Sequence, residues 1–478
     1  MSDEHDLYQN PLVSRYASKA MNRIFSDRFR FSTWRRLWLA LAESQRDLGL
    51  PIEEADLEEI RSHLDDIDFE RVRVLENELR HDVMAHVHAL RELCPKAGRI
   101  LHLGATSCYV TDNSELVQMR DGLVLLLTKL RQVIRQLRSF CLQEKDRPTV
   151  GYTHFQVAQF TTVGKRAGLW LQDLVEDHEE LERVHRDLRF RGVKGTTGTQ
   201  DSFLKLFGGD ASKVVRLEKL VTARMGFERV YALTGQTYTR KQDAKVLGVL
   251  SGIAQSAGKF SSDLRLLSHL QELEEPFGKK QIGSSAMAYK RNPMRSERMA
   301  ALARWLITIS QNAALTASTQ WLERTLDDSA NRRLAIGESF LCADAILELL
   351  INVTSGLVVQ EEVIARHVRE QLPFIASEEL MMEATKAGGD RQALHEVIRA
   401  AAIAASEELK TCGGENTFFA RVSADPLLGA ALLRIQDRLD PKRFTGRAAA
   451  QVEQYIASDV DPLLARFEDV PLGDEISV

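Results

Sequence analysis

The 478-residue chain is expected to be all-α, with three helical domains, the central one an elongated bundle of long helices. Three observations carry that expectation. Gly and Pro number only 28 and 11. Leu, Ala, Glu and Arg, all good helix formers, dominate the composition. Apolar residues recur at helical spacing through five stretches of about 25–35 residues, against a globular mean of about 12. Helices of that length must bury their stripes against one another, which implies a bundle, and one long enough for several chains to pack together.

Each element follows in order. Helical stretches are expected at Phe31–Leu48 and Asp56–His63, and Arg80-His81-Asp82 opens a further run. His102-Leu103-Gly104-Ala105-Thr106-Ser107 breaks the periodicity, so the first domain is placed at 1–106. From Ser114 the positions Leu116, Met119, Leu123, Leu126, Leu127, Leu130, Val133, Ile134 and Leu137 form one stripe, with Asp112 or Asn113 available to cap its start. Further long helices are expected at Ala158–Leu188, at Arg240–Leu273, from Pro293 in the first turn to Thr316, and at Asp328–Thr354. They make up a central domain, 107–359. The last domain, 360–478, has shorter helices broken at Gly388-Gly389 and Gly413-Gly414.

The net charge of −5 leaves no basic footprint for nucleic acid or an anionic membrane. No apolar run reaches the ~18–20 residues of a membrane span. The acidic start, Met1-Ser2-Asp3-Glu4-His5-Asp6, does not resemble a signal or transit peptide. Five scattered cysteines without a CxxC pair read as free thiols, and a cytoplasmic location is expected. No HExxH spacing or Cys/His cluster supports a metal site, and no cofactor is expected.

Six segments have the residue types for chemistry. The loop Gly283-Ser284-Ser285-Ala286-Met287-Ala288-Tyr289-Lys290-Arg291-Asn292-Pro293 combines small residues, a point cation, amide donors and a following helix start that favours anions. It reads equally as a polar interhelical loop. Gly151-Tyr152-Thr153-His154-Phe155-Gln156 is expected to head a long helix, with His154 either structural or placed to meet an anion. Arg80-His81-Asp82 is a binding triplet or a surface charge cluster, with His86 structural. Thr106 and Ser107 suit capping or carboxylate binding equally. Arg191 to Gln200 has the glycines of a phosphate loop but not the GxxxxGK[ST] order. Gln236, Arg298 and the run Glu323 to Arg333 supply arginines that ordinarily make solvated ion pairs.

Taken together these segments resemble the fumarase/aspartase superfamily, and the adenylosuccinate lyase subgroup in particular. The likeness runs from about Pro11 to Arg447. It rests on Ser284, Ser285, Met287, Lys290, Asn292 and Glu297 in the loop, Thr153-His154 and Gln156 with Ala158-Gln159, Arg80-His81-Asp82, and Gly388-Gly389-Asp390-Arg391-Gln392 with His395-Glu396. Ala288 and Val157 stand where the family has prolines, and Asp201 where it has alanine.

The resemblance implies β-elimination of fumarate from adenylosuccinate, giving AMP, and from SAICAR, giving AICAR. It implies Ser284 as base, with adjacent Ser285 the alternative. Lys290 would stabilise the developing charge and His154 would be the general acid. It implies substrate binding by Arg15, Tyr16, Arg80, His81, Asp82, Thr106, Ser107, Gln236, Asn292, Arg298, Arg324, Ser329 and Arg333, and a homotetramer with shared sites. Lyases of argininosuccinate, aspartate or malate act on substrates without a nucleotide phosphate, which the arginine matches disfavour.

Overall fold

A computed structural model describes residues 6–468; the acidic start Met1–His5 and the last ten residues lie outside the described residues. The chain is all-α. Its centre is a bundle of five long helices, Ser107–Gln143, Val163–Asp187, Lys241–His269, Met294–Thr319 and Asp328–Thr354. The Lys241–His269 helix packs on Met294–Thr319, which packs on Asp328–Thr354; Ser107–Gln143 lies against both Val163–Asp187 and Asp328–Thr354. The 37-residue helix spans about 55 Å at 1.5 Å per residue. Its stripe faces inward as the periodicity predicts: Leu116, Met119, Leu123, Leu126, Leu130, Val133, Ile134 and Leu137 are all fully buried. Each such side chain contributes about 1.5–3 kcal/mol.

The N-terminal helices Asp27–Asp47, Glu54–Ser62, Phe69–Leu79 and Asp82–Leu93 sit beside this bundle. Trp34 Nε1 donates to Ser114 Oγ (2.9 Å) and the Tyr109 hydroxyl to Leu37 O (2.7 Å), pinning Asp27–Asp47 to the long helix. A separate apolar cluster, including Leu380, Leu394, Ile398, Phe418, Leu428 and Ile435, holds the C-terminal helices together. Gly388 (φ +97°) and Gly413 (φ +60°) end two of them in the left-handed region, as the glycine pairs predict.

Three local expectations are corrected. The helix expected from Ala158 starts at Val163; an antiparallel hairpin precedes it, β1 (Pro148–Thr153) with β2 (Gln156–Thr162). His154 therefore sits not at a helix start but in the two-residue turn. It and Phe155 have φ of +53° and +56°, the left-handed pair of a type I′ turn. The long helix begins at Ser107, so Asp112 and Asn113 do not cap it but lie buried inside it. Pro293 is the residue before the first turn of Met294–Thr319 rather than within it. Two further short strands, β3 (Leu273–Glu274) and β4 (Val358–Val359), pair antiparallel where the bundle meets the C-terminal helices. Among the described residues no helix is long and apolar enough to cross a membrane.

Candidate active site

The Phe69–Leu79 helix ends on Arg80 in the left-handed region (φ +52°), whose N–H reaches Glu76 O at 2.8 Å. The chain then reverses, and His81 caps the Asp82–Leu93 helix: its Nδ1 accepts the Met84 N–H at 3.3 Å. With Nδ1 accepting, Nε2 carries the proton and points at Ser107 Oγ, 3.4 Å away. Asp82 takes the Val83 N–H (2.7 Å) with one oxygen and Arg333 (3.3 Å) with the other. A cavity of about 480 Å³ opens between these groups and the start of the Asp328–Thr354 helix. Eight of the residues expected from sequence line it: Arg80, His81, Asp82, Ser107, Gln236, Arg324, Ser329 and Arg333. Arg80, Arg324 and Arg333 bring guanidiniums to it, the last two paired with Asp328 and Asp82, so its lining offers both donors for an anion and carboxylates that hold those donors in place.

Below the cavity lies a buried ion network that sequence reasoning missed. Arg240 grips Asp112 with two nitrogens (3.1 and 3.2 Å) and Asp328 with its Nε (2.8 Å). Asp328 also takes Arg324 at 3.1 Å. Arg332 joins Asp243 (2.7 Å), Glu115 (2.6 Å) and the Tyr238 hydroxyl (2.6 Å). Burial pushes the Asp112 carboxyl up, but the guanidiniums of Arg240, Arg332 and Arg191 outweigh burial and hold it below the usual carboxylate range. At Glu115 burial prevails and raises the carboxyl. Cys108, also in the wall, is pushed up to about 11 by burial and is a poor nucleophile. The available clue was polar residues, Asp112 and Asn113, interrupting an apolar helical run; they read there as caps.

The glycine-rich stretch from Arg191 is scaffolding. Arg191, fully buried, donates to Gln236 O, Gly192 O and Gly195 O, and Asn113 Oδ1 accepts the N–H groups of Arg191 and Gly192. This holds Gln236, whose Nε2 also reaches Thr196 O at 3.1 Å. His86 is structural: it is buried against Phe31 (3.9 Å) and Trp34 (5.1 Å), and burial, with Arg35 and Arg30 adding to it, lowers it to about 3.

The other expected residues do not line this cavity. Thr106 precedes the long helix with its hydroxyl making no capping bond. Arg15, Tyr16 and Arg298 form their own cluster, with the Arg298 guanidinium 5.4 Å from the Tyr16 ring. His154 is exposed at the hairpin tip. Ser284, Lys290 and Asn292 lie in the loop before Met294–Thr319, where Asn292 Nδ2 donates to Gly283 O (2.7 Å) and draws the loop closed. A side chain at Gly283 would stand 2.2 Å from Lys290 O, so only glycine fits there. Two backbone N–H groups, of Met287 (3.1 Å) and Ala286 (3.4 Å), converge on Ser284 Oγ. Among the described residues no group of three or more His, Cys, Asp or Glu is placed to hold a metal ion.

Comparison with known proteins agrees with this architecture. Residues 15–307 match the Lyase family, and residues 373–455 match the family described as adenylosuccinate lyase C-terminus. The chain is 49% identical to adenylosuccinate lyase of Saccharomyces cerevisiae over 99% of this chain and 98% of that protein. It is 46% identical to that of Schizosaccharomyces pombe, covering 100% and 99%. The fold is shared with the 3-carboxy-cis,cis-muconate lactonizing enzyme of Pseudomonas putida (TM-score 0.82, 21% identity, 94% of this chain and 98% of that one). It is shared too with a fumarate lyase of Mesorhizobium sp. BNC1 (TM-score 0.80, 22% identity, 95% and 100%). With two family matches in sequence along one chain and near-complete overlap with both yeast proteins, the chain belongs to the adenylosuccinate lyase family.

Proposed function

We propose that this chain is a carbon–nitrogen lyase that eliminates fumarate from adenylosuccinate, leaving AMP, and from SAICAR, leaving AICAR. The observation that carries the reading is the end-to-end likeness to adenylosuccinate lyases. The arginine-lined cavity supports it, because both substrates bring a phosphate.

The elimination removes a C–H proton beside a carboxylate and expels a nitrogen. Ser284 takes the proton. A serine hydroxyl is a weak base, so its oxyanion form needs donors, and the Met287 and Ala286 N–H groups already point at Oγ. That convergence favours Ser284 over Ser285. Lys290, on the same loop, offsets the charge that builds on the carboxylate as the carbanion forms. The electron pair then forms the C=C bond of fumarate while the C–N bond breaks, and His154 protonates the departing nitrogen. Arg80, His81, Asp82, Gln236, Arg324, Ser329 and Arg333 hold the nucleotide, with Thr106 and Ser107 toward the succinyl carboxylate, Asn292 contacting substrate from the loop, and Arg15, Tyr16 and Arg298 toward phosphate.

In this reading the working form is a cytoplasmic homotetramer with shared sites. Its support is threefold: His154 and Ser284 lie outside the wall of their own chain's cavity, the hairpin tip exposes Phe155 and Val157, and the bundle exposes Trp305, Leu315 and Leu334. The division into units 1–106, 107–359 and 360–478 belongs to the same proposal.

The test is fumarate release followed by ultraviolet absorbance with adenylosuccinate, SAICAR, argininosuccinate, aspartate and malate in parallel. Turnover confined to the two purine substrates is expected; turnover of another substrate alone refutes the reading. Sedimentation of a micromolar solution as a monomer would remove the shared site.

A further inference from the structure

The hairpin that carries His154 is exposed at its tip and anchored at its root, where Thr149 and Val150 are buried. One carboxylate links several of its anchoring contacts. Glu272, just ahead of β3, is buried, with its side chain 2% exposed. Thr149 Oγ1 donates to its Oε2 at 3.3 Å, and Arg166 approaches the same oxygen at 3.7 Å. Arg166 also donates to Val150 O at 2.5 Å and lies 6.0 Å from the Tyr152 ring, so it holds β1 at two further points. The other oxygen, Oε1, meets His367 Nδ1 at 2.8 Å, from the Glu361–Ile375 helix. The backbone is held as well, because Glu272 O accepts the Gln360 N–H at 3.0 Å.

Three residues on, Glu275 does the corresponding work for the Ser284 loop. Its buried carboxylate accepts the N–H groups of Arg295 (3.1 Å) and Ser296 (3.0 Å) and the Ser296 hydroxyl (2.9 Å). It thereby caps the Met294–Thr319 helix from outside and closes the base of the loop. Leu273 and Glu274 between them are held in β3 by β4. The hairpin and the loop are thus referenced to the same four residues.

We propose that Glu272 is a positioning residue for the elimination: held by His367, it sets the hairpin root through Thr149 and Arg166 and so fixes where His154 is presented. The proposal rests on His154 being the general acid. Displacing an acid by about 1 Å costs on the order of 100-fold in rate without removing any binding contact.

The experiment uses the full-length chain with adenylosuccinate. Glu272→Gln keeps the shape and removes the charge that Arg166 and His367 share. Its kcat should fall about 10- to 100-fold with KM within about threefold of the parent. In a His154→Ala background the same change should cost less than about threefold, because a positioning residue has nothing left to position. Thr149→Val and His367→Asn remove one contact each and should show the same split more weakly; they carry the test if Glu272→Gln does not fold. An unchanged kcat in the Glu272 variant, or rate losses that multiply in full with His154→Ala, overturns the proposal. A His154→Ala variant that turns over normally overturns instead the assignment of the acid, and the positioning role with it.

Discussion

Replacing Arg240 by methionine should be among the most damaging single changes outside the residues that touch substrate. The side chain is 1% exposed and holds two carboxylates, Asp112 and Asp328, themselves 2% and 0% exposed. Methionine fills similar volume but takes the guanidinium from Asp112 and one of two guanidiniums from Asp328. Asp112 would keep the Tyr238 N–H at 3.0 Å, and Asp328 would keep Arg324 at 3.1 Å. Breaking a buried pair from one side costs about 3–5 kcal/mol, roughly a thousandfold in the folding equilibrium. The assay is urea unfolding at one fixed protein concentration, since assembly contributes to apparent stability. The sign with pH follows from the charges. With Arg240 present, Asp112 is held below its ordinary 3.8, so its contribution is complete above that value and is lost only as pH falls through the depressed one. Without Arg240 the largest attraction on the Asp112 carboxyl is gone and burial weighs more heavily, so that carboxyl rises and the variant's deficit should shrink as pH is lowered. Pairing Arg240→Met with Asp112→Leu should recover part of the loss, because one fewer charge is stranded. A loss below about 1 kcal/mol, or a deficit that widens on acidification, refutes the view that these contacts hold the cavity floor.

Other outcomes follow from the same structure. Ser284→Ala should lower kcat by at least about 10³-fold with substrate still bound, measured by fumarate release; a Ser285→Ala variant alone with that defect would move the base to its neighbour. Arg333→Ala, which removes a guanidinium from the cavity, should raise KM for adenylosuccinate far more than it lowers kcat, and the reverse pattern in steady-state kinetics would contradict a binding role. His86 stays neutral in the fold down to about 3 while the unfolded residue protonates near 6.5. Its contribution is therefore whole above pH 6.5 and declines by about 1.4 kcal/mol per unit as pH falls toward 3. His86→Phe should move the acid-unfolding midpoint to lower pH, and an unmoved midpoint refutes the assignment. Gly198→Ala introduces a methyl 1.9 Å from Thr234 O at φ +83°; it should cost more than about 1–2 kcal/mol in thermal unfolding, the strain of the left-handed region alone.

Which parts of this protein were legible before folding depends on the range of the interaction. The helical stripe from Leu116 to Leu137 is a local regularity, and it names the buried face without reference to any other part of the chain. Likewise Asp328–Thr354 has the bounds its pattern predicts. The exception nearby, β1 and β2, went unread because its turn is His154-Phe155 rather than the Asn-Gly that marks such turns. The run Val157 to Val163 is apolar enough to pass for helix, although its β-branched residues fit a strand better.

The chemistry divides along the same line. Ser284, Lys290, His154 and the arginines were named from the sequence by their match to the family's motifs, since a motif is contiguous; residue types alone left each of them open. What only the tertiary structure decided is which of them meet. Arg80 to Asp82, Ser107, Gln236 and Arg324 to Arg333 come from four separate stretches of chain and close around one cavity because the Asp112–Arg240–Asp328 network draws their helices together. No spacing in the sequence encodes that network. Its members lie 88 and 128 residues apart, and a buried charge finds its partner through packing rather than proximity along the chain.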